Sequence, residues 1–416
     1  MGATNDMRKL GKIHAIGVLN HVNSLNLGDA SLIFMIVKLI QESLNPEKIY
    51  VFTFEKENDK EIINAINSNS VQFLTSPART SRGDRSKVLS EMFYFLVWAC
   101  IYRLTGKKLT RPKFRNVCDG LLDSDLLIVE GGDSLTDVYG LFSLTKHAYN
   151  IMLGLLLKKN IIVMGNTIGP FTKFWTKKLL FVLLGRMDMV VVRDKRSFDL
   201  LASSGISINK LHFIPDVAFD LPTENWDIPS LGSPSVGIVT SALIAKLIGR
   251  KKYASLMAQI CDHIIDTYHA QVVFVPHVIY QGNNDREIAA EVIAEMRNKS
   301  ALLIPYEANP LKVKYVISQL SLIISPRMHP VIHALSSGVP VIAVDYNKKT
   351  REVMKLFEKE DWVIDLENIG ELQNKVDAFF MLKTNTNTSY TIKKISISND
   401  YTTFLKTATQ RLRINA

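Results

Sequence analysis

Ser325-Pro326-Arg327-Met328-His329 and Gly338-Val339-Pro340 stand between two apolar runs, 322–324 and 341–344, and this stretch decides the fold. Apolar β-rich runs on either side of a turn and a short helical span are the pattern of strand, crossover helix and parallel strand. A strand therefore ends at Ser325, and a helix begins near His329 and closes before Gly338. An Arg and a His then stand at the carboxyl end of a strand, beside a helix N-terminus, where open α/β sheets bind anionic ligands. The placement points to an enzyme handling a small, strongly charged donor. Local capping and pairing by an isolated Arg-x-His is the competing structural reading.

Outward from this stretch the same alternation repeats. Strand-like apolar runs fall at 13–19, 49–54, 126–129, 161–164, 189–192 and 211–214, with helical segments such as 31–43, 144–157 and 172–184 between them. Continuous apolar runs suit parallel strands covered on both faces. Pro222, Pro229, Gly232 and Pro234 interrupt the pattern over 220–236, and it restarts at 236–239, 272–275 and 302–304. The expected architecture is α/β: two Rossmann-like domains, 1–222 and 235–382, facing a central cleft, with a tail, 383–416, whose segment 401–412 packs back as a helix.

The 416 residues are 47% hydrophobic and 22% charged, as in a well-cored globular protein. Cys100, Cys118 and Cys261 are scattered, which signals neither a disulfide framework nor a zinc site. The N-terminus lacks a signal-peptide pattern and no run has the length of a membrane span, so a reducing, cytoplasmic setting is expected. The formal charge is +10, and the window 79–115 holds ten basic residues, Arg82 among them, against two acidic ones. Within it, the aromatic-rich run 92–102 has two readings: a buried helix of the first domain, or an interfacial helix on the inner face of the cytoplasmic membrane, drawn to an anionic lipid surface. The aromatics form one block instead of alternating with the cations, which disfavours nucleic acid.

Several strand ends carry polar or glycine-rich turns. Asn26-Leu27-Gly28-Asp29 follows the first strand; it is no dinucleotide fingerprint, and plain turn chemistry competes with anion binding. Glu130-Gly131-Gly132-Asp133 lets backbone approach a ligand, with Asp133 able to receive sugar hydroxyls, or makes a tight structural turn. In Gly165-Asn166-Thr167-Ile168-Gly169-Pro170, Asn166 and Thr167 can bind a sugar or phosphate. Arg193, after 189–192, suits carboxylate or phosphate recognition, and Asp216 reads as structural, shaping the hinge. His277, after 272–275, is a further site candidate, with Asn283, Asn284 and Asp285 close behind. His333 shares a helix face with His329 and reads as packing; no metal pattern is present.

Asn26-x-Gly28-Asp29, Gly131-Gly132, Gly165-x-x-Ile168-Gly169-Pro170, Val192-Arg193-Asp194-x-x-Ser197, Asp216-x-Ala218-Phe219, Arg327-x-His329 and Gly338-x-Pro340 resemble, in this order, the motifs of the polysaccharide pyruvyl transferase family. The sequence departs at Asp133, where the family more usually has a third glycine. The resemblance implies a GT-B-like fold and transfer of a pyruvyl group from phosphoenolpyruvate to a sugar diol, free or lipid-linked, as a cyclic ketal, with no metal or organic cofactor. Arg193 and Arg327, from the two domains, would clamp the donor, helped by the Met328 and His329 amides and by Lys348 and Lys349. His329 would deliver a proton or hold the phosphate, and Asp29 and Asp133 would act as bases. Asn26, Gly28, Gly131, Gly132, Asn166, Thr167 and His277 would line the acceptor side. A nucleotide-sugar glycosyltransferase of the same fold, with Asp345 as the best carboxylate for a ribose, and a non-catalytic sugar-lipid binding protein are the alternatives.

Overall fold

The structure, a computed structural model, describes residues 13–79, 84–384, 390, 392–393 and 395–414. Arg82 lies outside the described residues. The chain forms two units. One takes the chain up to Asn23, Leu32–Val217 and the segment from Ile397; the other takes Ser24–Ser31 and Ala218–Ser396. The change of unit thus falls just ahead of the Pro-rich stretch 220–236.

The first unit is built on strands β1 (Ala15–His21), β2 (Lys48–Thr53), β3 (Val71–Thr75), β4 (Leu126–Val129), β5 (Gly132–Leu135), β6 (Asn160–Ile168), β7 (Met189–Val192) and β8 (Leu211–Phe213). They run in the order β3-β2-β1-β4-β6-β7-β8, with β5 alongside β6, and every pairing is parallel. The connecting helices are α1 (Leu27–Leu44), α2 (Lys60–Ile66), α3 (Arg85–Thr105), α4 (Arg115–Asp123), α5 (Leu141–Leu156), α6 (Phe174–Gly185) and α7 (Lys195–Ala202). Right-handed crossovers place the helices that follow β3 together on one face of the sheet, where Phe95, Trp98, Leu153 and Leu180 join a core with Phe52, Leu127 and Val163. Helix α3 starts where the Asp84 carboxylate accepts the Lys87 amide and stops at Gly106, whose φ of 69° is left-handed.

The second unit has strands β9 (Ser235–Ile238), β10 (Gln271–Phe274), β11 (Ile279–Tyr280), β12 (Asn283–Asn284), β13 (Leu302–Leu303), β14 (Leu322–Ser325), β15 (Val341–Asp345) and β16 (Val363–Asp365). Its helices are α8 (Ala242–Ile248), α9 (Arg250–Tyr268), α10 (Asp285–Glu295), α11 (Pro310–Ser318), α12 (Met328–Ser336), α13 (Lys349–Leu356) and α14 (Leu372–Thr384). The main sheet is parallel, in the order β13-β10-β9-β14-β15-β16, and β11 and β12 form a small antiparallel pair. Counted within the unit the order is 3-2-1-4-5-6, the Rossmann arrangement, so the chain changes direction between β9 and β14.

A last helix, α15 (Ser398–Ile414), packs on the first unit. Its Tyr401 hydroxyl donates to the Pro215 carbonyl at 3.0 Å and occupies the space a side chain at Gly165 would need.

Candidate functional site

In the second unit, β14 ends at Ser325. Its hydroxyl accepts the Arg327 amide and donates to the Arg327 carbonyl, which turns the chain into α12. This sets Arg327 beside the carboxyl ends of β9 and β14, the switch point of the sheet. The guanidinium is 13% exposed and donates through Nη2 to Asp285 at 2.5 Å and to Asn283 at 3.2 Å. Asp285 is fully buried and also accepts the Val278 amide at 2.8 Å. Burial pushes its carboxyl up, and Arg327 opposes that shift. Arg327 Nε has no hydrogen-bond partner in the protein.

Segment Ser24–Ser31 brings the Asn26-x-Gly28-Asp29 motif into this unit. The Leu27 amide donates to the His277 carbonyl, and the Ile279 amide donates to the Leu25 carbonyl. Asn26 accepts the Gly28 amide and donates to Asp29, closing the first turn of α1. Gly28 then lies against the His329 ring: a Cβ at position 28 would stand 2.2 Å from His329 Nδ1. Gly28, expected on the acceptor side of the first domain, is therefore a neighbour of His329, and Asn26 falls in the same unit, because the start of α1 is stitched to the loop after β10.

Two further histidines complete the site. His277 is buried with neither ring nitrogen hydrogen-bonded, and its ring meets that of His333 edge-on at 5.4 Å. His333 is fully buried and 3.1 Å from the Ser31 hydroxyl. Ser31 gives its one proton to the Leu27 carbonyl, so the proton shared with His333 sits on the imidazole Nε2. Burial, with cationic neighbours, holds both rings well below the usual histidine range, so both are neutral at pH 7. Among the described residues, no group of three or more His, Cys, Asp or Glu is arranged to hold a metal.

The first unit treats its own switch point differently. There His21, at the end of β1, is buried between Glu130 (3.0 Å) and Asp59 (3.2 Å), and these carboxylates raise its pKa against the pull of burial. Arg193 emerges from β7 but is buried, not presented at a sheet edge. Its Nη1 donates to Asp216 at 2.6 Å and its Nε to Thr167 at 2.9 Å. Asp216, read as a hinge residue, is its ion-pair partner. The strand expected to stop at 164 continues through Ile168 as β6, which buries Asn166 with its amide donated to the Glu130 carbonyl. Gly131 approaches the chain itself, since a Cβ there would meet the Met164 carbonyl oxygen at 2.8 Å, and Gly132 opens β5 with φ 118°. Asp133, half-buried on β5, accepts the Tyr139 hydroxyl.

Comparison with known proteins decides the family. The profile of the polysaccharide pyruvyl transferase family matches residues 26–348, most of the chain. The chain belongs to the polysaccharide pyruvyl transferase family. It is 23% identical over 291 residues to the amylovoran biosynthesis protein AmsJ of Erwinia amylovora, covering 65% of this chain and 69% of that one. Among solved structures it resembles the UDP-GlcNAc 2-epimerase of Neisseria meningitidis bound to UDP-GlcNAc, with 12% identity, TM-score 0.61, and 96% and 100% of the two chains covered. It also resembles Anabaena HepE in complex with UDP and glucose, with 12% identity, TM-score 0.53, and 97% and 98% covered. At these identities the likeness concerns the fold: two Rossmann-like units of the GT-B type.

Of the residues singled out from sequence, Asn26, Gly28, Asp29, His277, Arg327, Met328 and His329 fall in one unit. Lys348 is exposed at φ 66° ahead of α13, and the Lys349 amide donates to Asn347. Arg193, Thr167, Asn166, Gly131, Gly132 and Asp133 belong to the other unit. Asp285, Asn283 and Ser31 have no role legible in the sequence, and His333, expected to serve packing alone, also pairs with Ser31. The run Asn283-Asn284-Asp285 marks the start of α10, with Asn284 as its cap, but carries no sign of the pairing with Arg327.

Proposed function

We propose that this chain transfers the pyruvyl group of phosphoenolpyruvate to two hydroxyls of a sugar in a cell-surface polysaccharide, or in its lipid-linked precursor, forming a cyclic ketal and releasing phosphate. The observation that carries the reading is Arg327: a half-buried cation at the switch point, anchored by Asp285, with its buried Nε–H unsatisfied. A buried unpaired donor on an arginine calls for an anionic oxygen, and phosphoenolpyruvate offers a carboxylate and a phosphate. The Met328 and His329 amides open α12 and add donors for the same anion.

In this scheme His329 hands a proton to the methylene carbon, and positive charge develops on the carbon bearing the phosphate. A sugar hydroxyl attacks that carbon, and Asp29, next to Gly28, takes the hydroxyl proton. The carbon–oxygen bond to phosphate then breaks, with both electrons leaving on phosphate, and the second hydroxyl closes the ring. Of the two hydroxyl protons, one replaces that given by His329 and the other departs with phosphate. Arg327 holds the donor in place and stabilises the leaving phosphate. The scheme uses no metal or organic cofactor.

The nucleotide-sugar reading needs a carboxylate for a ribose. Asp345, its best candidate, is buried and accepts the Asn347 and Arg351 amides, so it closes its own loop. Calorimetric titration with phosphoenolpyruvate and with UDP-, GDP- and CMP-sugars, repeated on Arg327→Ala, tests the choice. Binding of phosphoenolpyruvate that the substitution abolishes is expected. Selective binding of a nucleotide sugar would overturn the proposal.

A further inference from the structure

Helices α3, α5 and α6 cover one face of the first unit, with α5 packed against both others. The Tyr149 hydroxyl on α5 donates to the Met92 carbonyl on α3. The inner side of α3, with Met92, Phe95, Trp98 and Ala99, is buried in the core, so the run 92–102 is only partly a core helix. Its outer side carries Leu89, Phe93, Val97 and Leu104 at helical spacing; Phe93 is 67% and Leu104 84% exposed. Helix α6 repeats the pattern with Trp175, Leu179 and Val182, all exposed, after Phe174 at 79%. Against the expectation from sequence that no run reaches the length of a membrane span, helix α3 is long and apolar enough to cross one by length and composition, yet it is anchored along one side to the sheet. Lying flat is the geometry that leaves this packing intact.

Charge says what such a face meets. Residues 84–115 and 139–187 together hold fifteen Lys and Arg against two acidic residues, a surplus of 13. The whole chain is only +10, so the remaining segments sum to −3. One of the two acids, Glu91, is neutralised locally by Arg79 and Lys113. Several cations lie over rings at this face: Arg85 over Phe142 at 5.5 Å, Arg111 over Tyr94 at 5.0 Å and Lys173 over Trp175 at 5.9 Å. Exposed aromatic and aliphatic side chains interleaved with snorkelling cations match the boundary between acyl chains and anionic headgroups. A second copy of the same face would instead bring two large positive surpluses together.

We propose that the α3–α5–α6 face is a docking surface for an anionic lipid bilayer, with α3 and α6 lying in the plane of the membrane. The inference is independent of the donor chemistry. Co-sedimentation of the full chain with vesicles of phosphatidylglycerol and phosphatidylethanolamine, and with phosphatidylcholine vesicles, tests it. Binding is expected to the anionic vesicles and to be about tenfold weaker to the neutral ones. Phe93→Ser with Trp175→Ser, and separately Lys107→Glu with Lys108→Glu and Lys178→Glu, are each expected to lower partitioning about tenfold with an unchanged circular dichroism spectrum. Equal binding by wild type and both variants would overturn the proposal. So would absent vesicle binding together with a concentration-dependent dimer, by light scattering, that Phe93→Ser with Trp175→Ser dissolves. As a second readout, vesicles with brominated acyl chains should quench a fluorescence component that Trp175→Phe removes; unquenched emission would count against insertion.

Discussion

Asp285 holds Arg327 by a 2.5 Å ion pair while its other oxygen anchors the Val278 amide, so one carboxylate fixes both the cation and the loop that carries His277. Removing one partner of a buried pair leaves the other uncompensated. Asp285→Ala is expected to lower stability by about 3–5 kcal/mol in urea unfolding. Asp285→Asn, which keeps shape and part of the hydrogen bonding, should fold and lose about 10–100-fold in kcat/KM because Arg327 is no longer held in position. An Asn variant with wild-type kcat/KM would show that Arg327 does not depend on this anchor.

Gly28→Ala probes the contact with His329. Helix α1 accommodates alanine, and the exchange raises helix propensity by roughly 0.5–1 kcal/mol. The new Cβ would stand 2.2 Å from His329 Nδ1, so the ring must move. The expected outcome is near-wild-type unfolding with the proposed pyruvyl transfer reduced about 100-fold, the loss that the proposed role of His329 requires when its ring is displaced by about 1 Å. Comparing the urea midpoint with the transfer rate separates the two effects.

Arg193 and Asp216 make the corresponding buried pair of the first unit. Asp216→Ala is expected to cost about 3–5 kcal/mol, whereas Arg193→Met with Asp216→Leu should recover most of that loss, because an apolar pair carries no desolvation penalty. Urea unfolding of the single and double variants measures the difference.

Acid sensitivity follows from histidines buried without charge. Burial, with Lys146 nearby, lowers the His147 pKa to about 3, against about 6.5 in the unfolded chain. Above pH 6.5 neither state takes up the proton and stability is unaffected. Below it the unfolded chain binds the proton and the folded chain does not, so stability falls by about 1.4 kcal/mol per pH unit until pH nears the folded value. Between pH 7 and pH 5 His147 accounts for a loss of about 2 kcal/mol. His277 and His333 act in the same direction. His147→Gln should flatten the acid limb of a plot of unfolding free energy against pH.

The alternation of apolar runs with helical spans was legible from residues 13 to 344, because parallel strands buried on both faces leave little room for polar residues. Arg327 and His329 were legible for the same reason: a strand end followed by a helix start fixes where they emerge. The partners were not. Asp285 lies 42 residues from Arg327 in the chain, and nothing local marks it as the anchor. Arg193 shows why a strand-end arginine is ambiguous, since whether its head meets solvent depends on Asp216, 23 residues later. The placement of Gly28 beside His329 was beyond reach, because no periodicity reports which unit receives the first turn of a helix. The outer stripe of α3 was half legible: its composition fitted both a core helix and an interfacial one, and the structure buries one side of it and leaves Leu89, Phe93, Val97 and Leu104 exposed on the other.

Gly28 also constrains how this chain can vary. Every single-base change in a glycine codon that alters the amino acid and keeps the frame open introduces a Cβ, and every Cβ at this position strikes the same imidazole. The backbone here is thus a mould for His329. Variation near the site has to pass through other positions, and in a saturation library selected for transfer, position 28 should return glycine alone while the exposed positions of α3 and α6 return many residues.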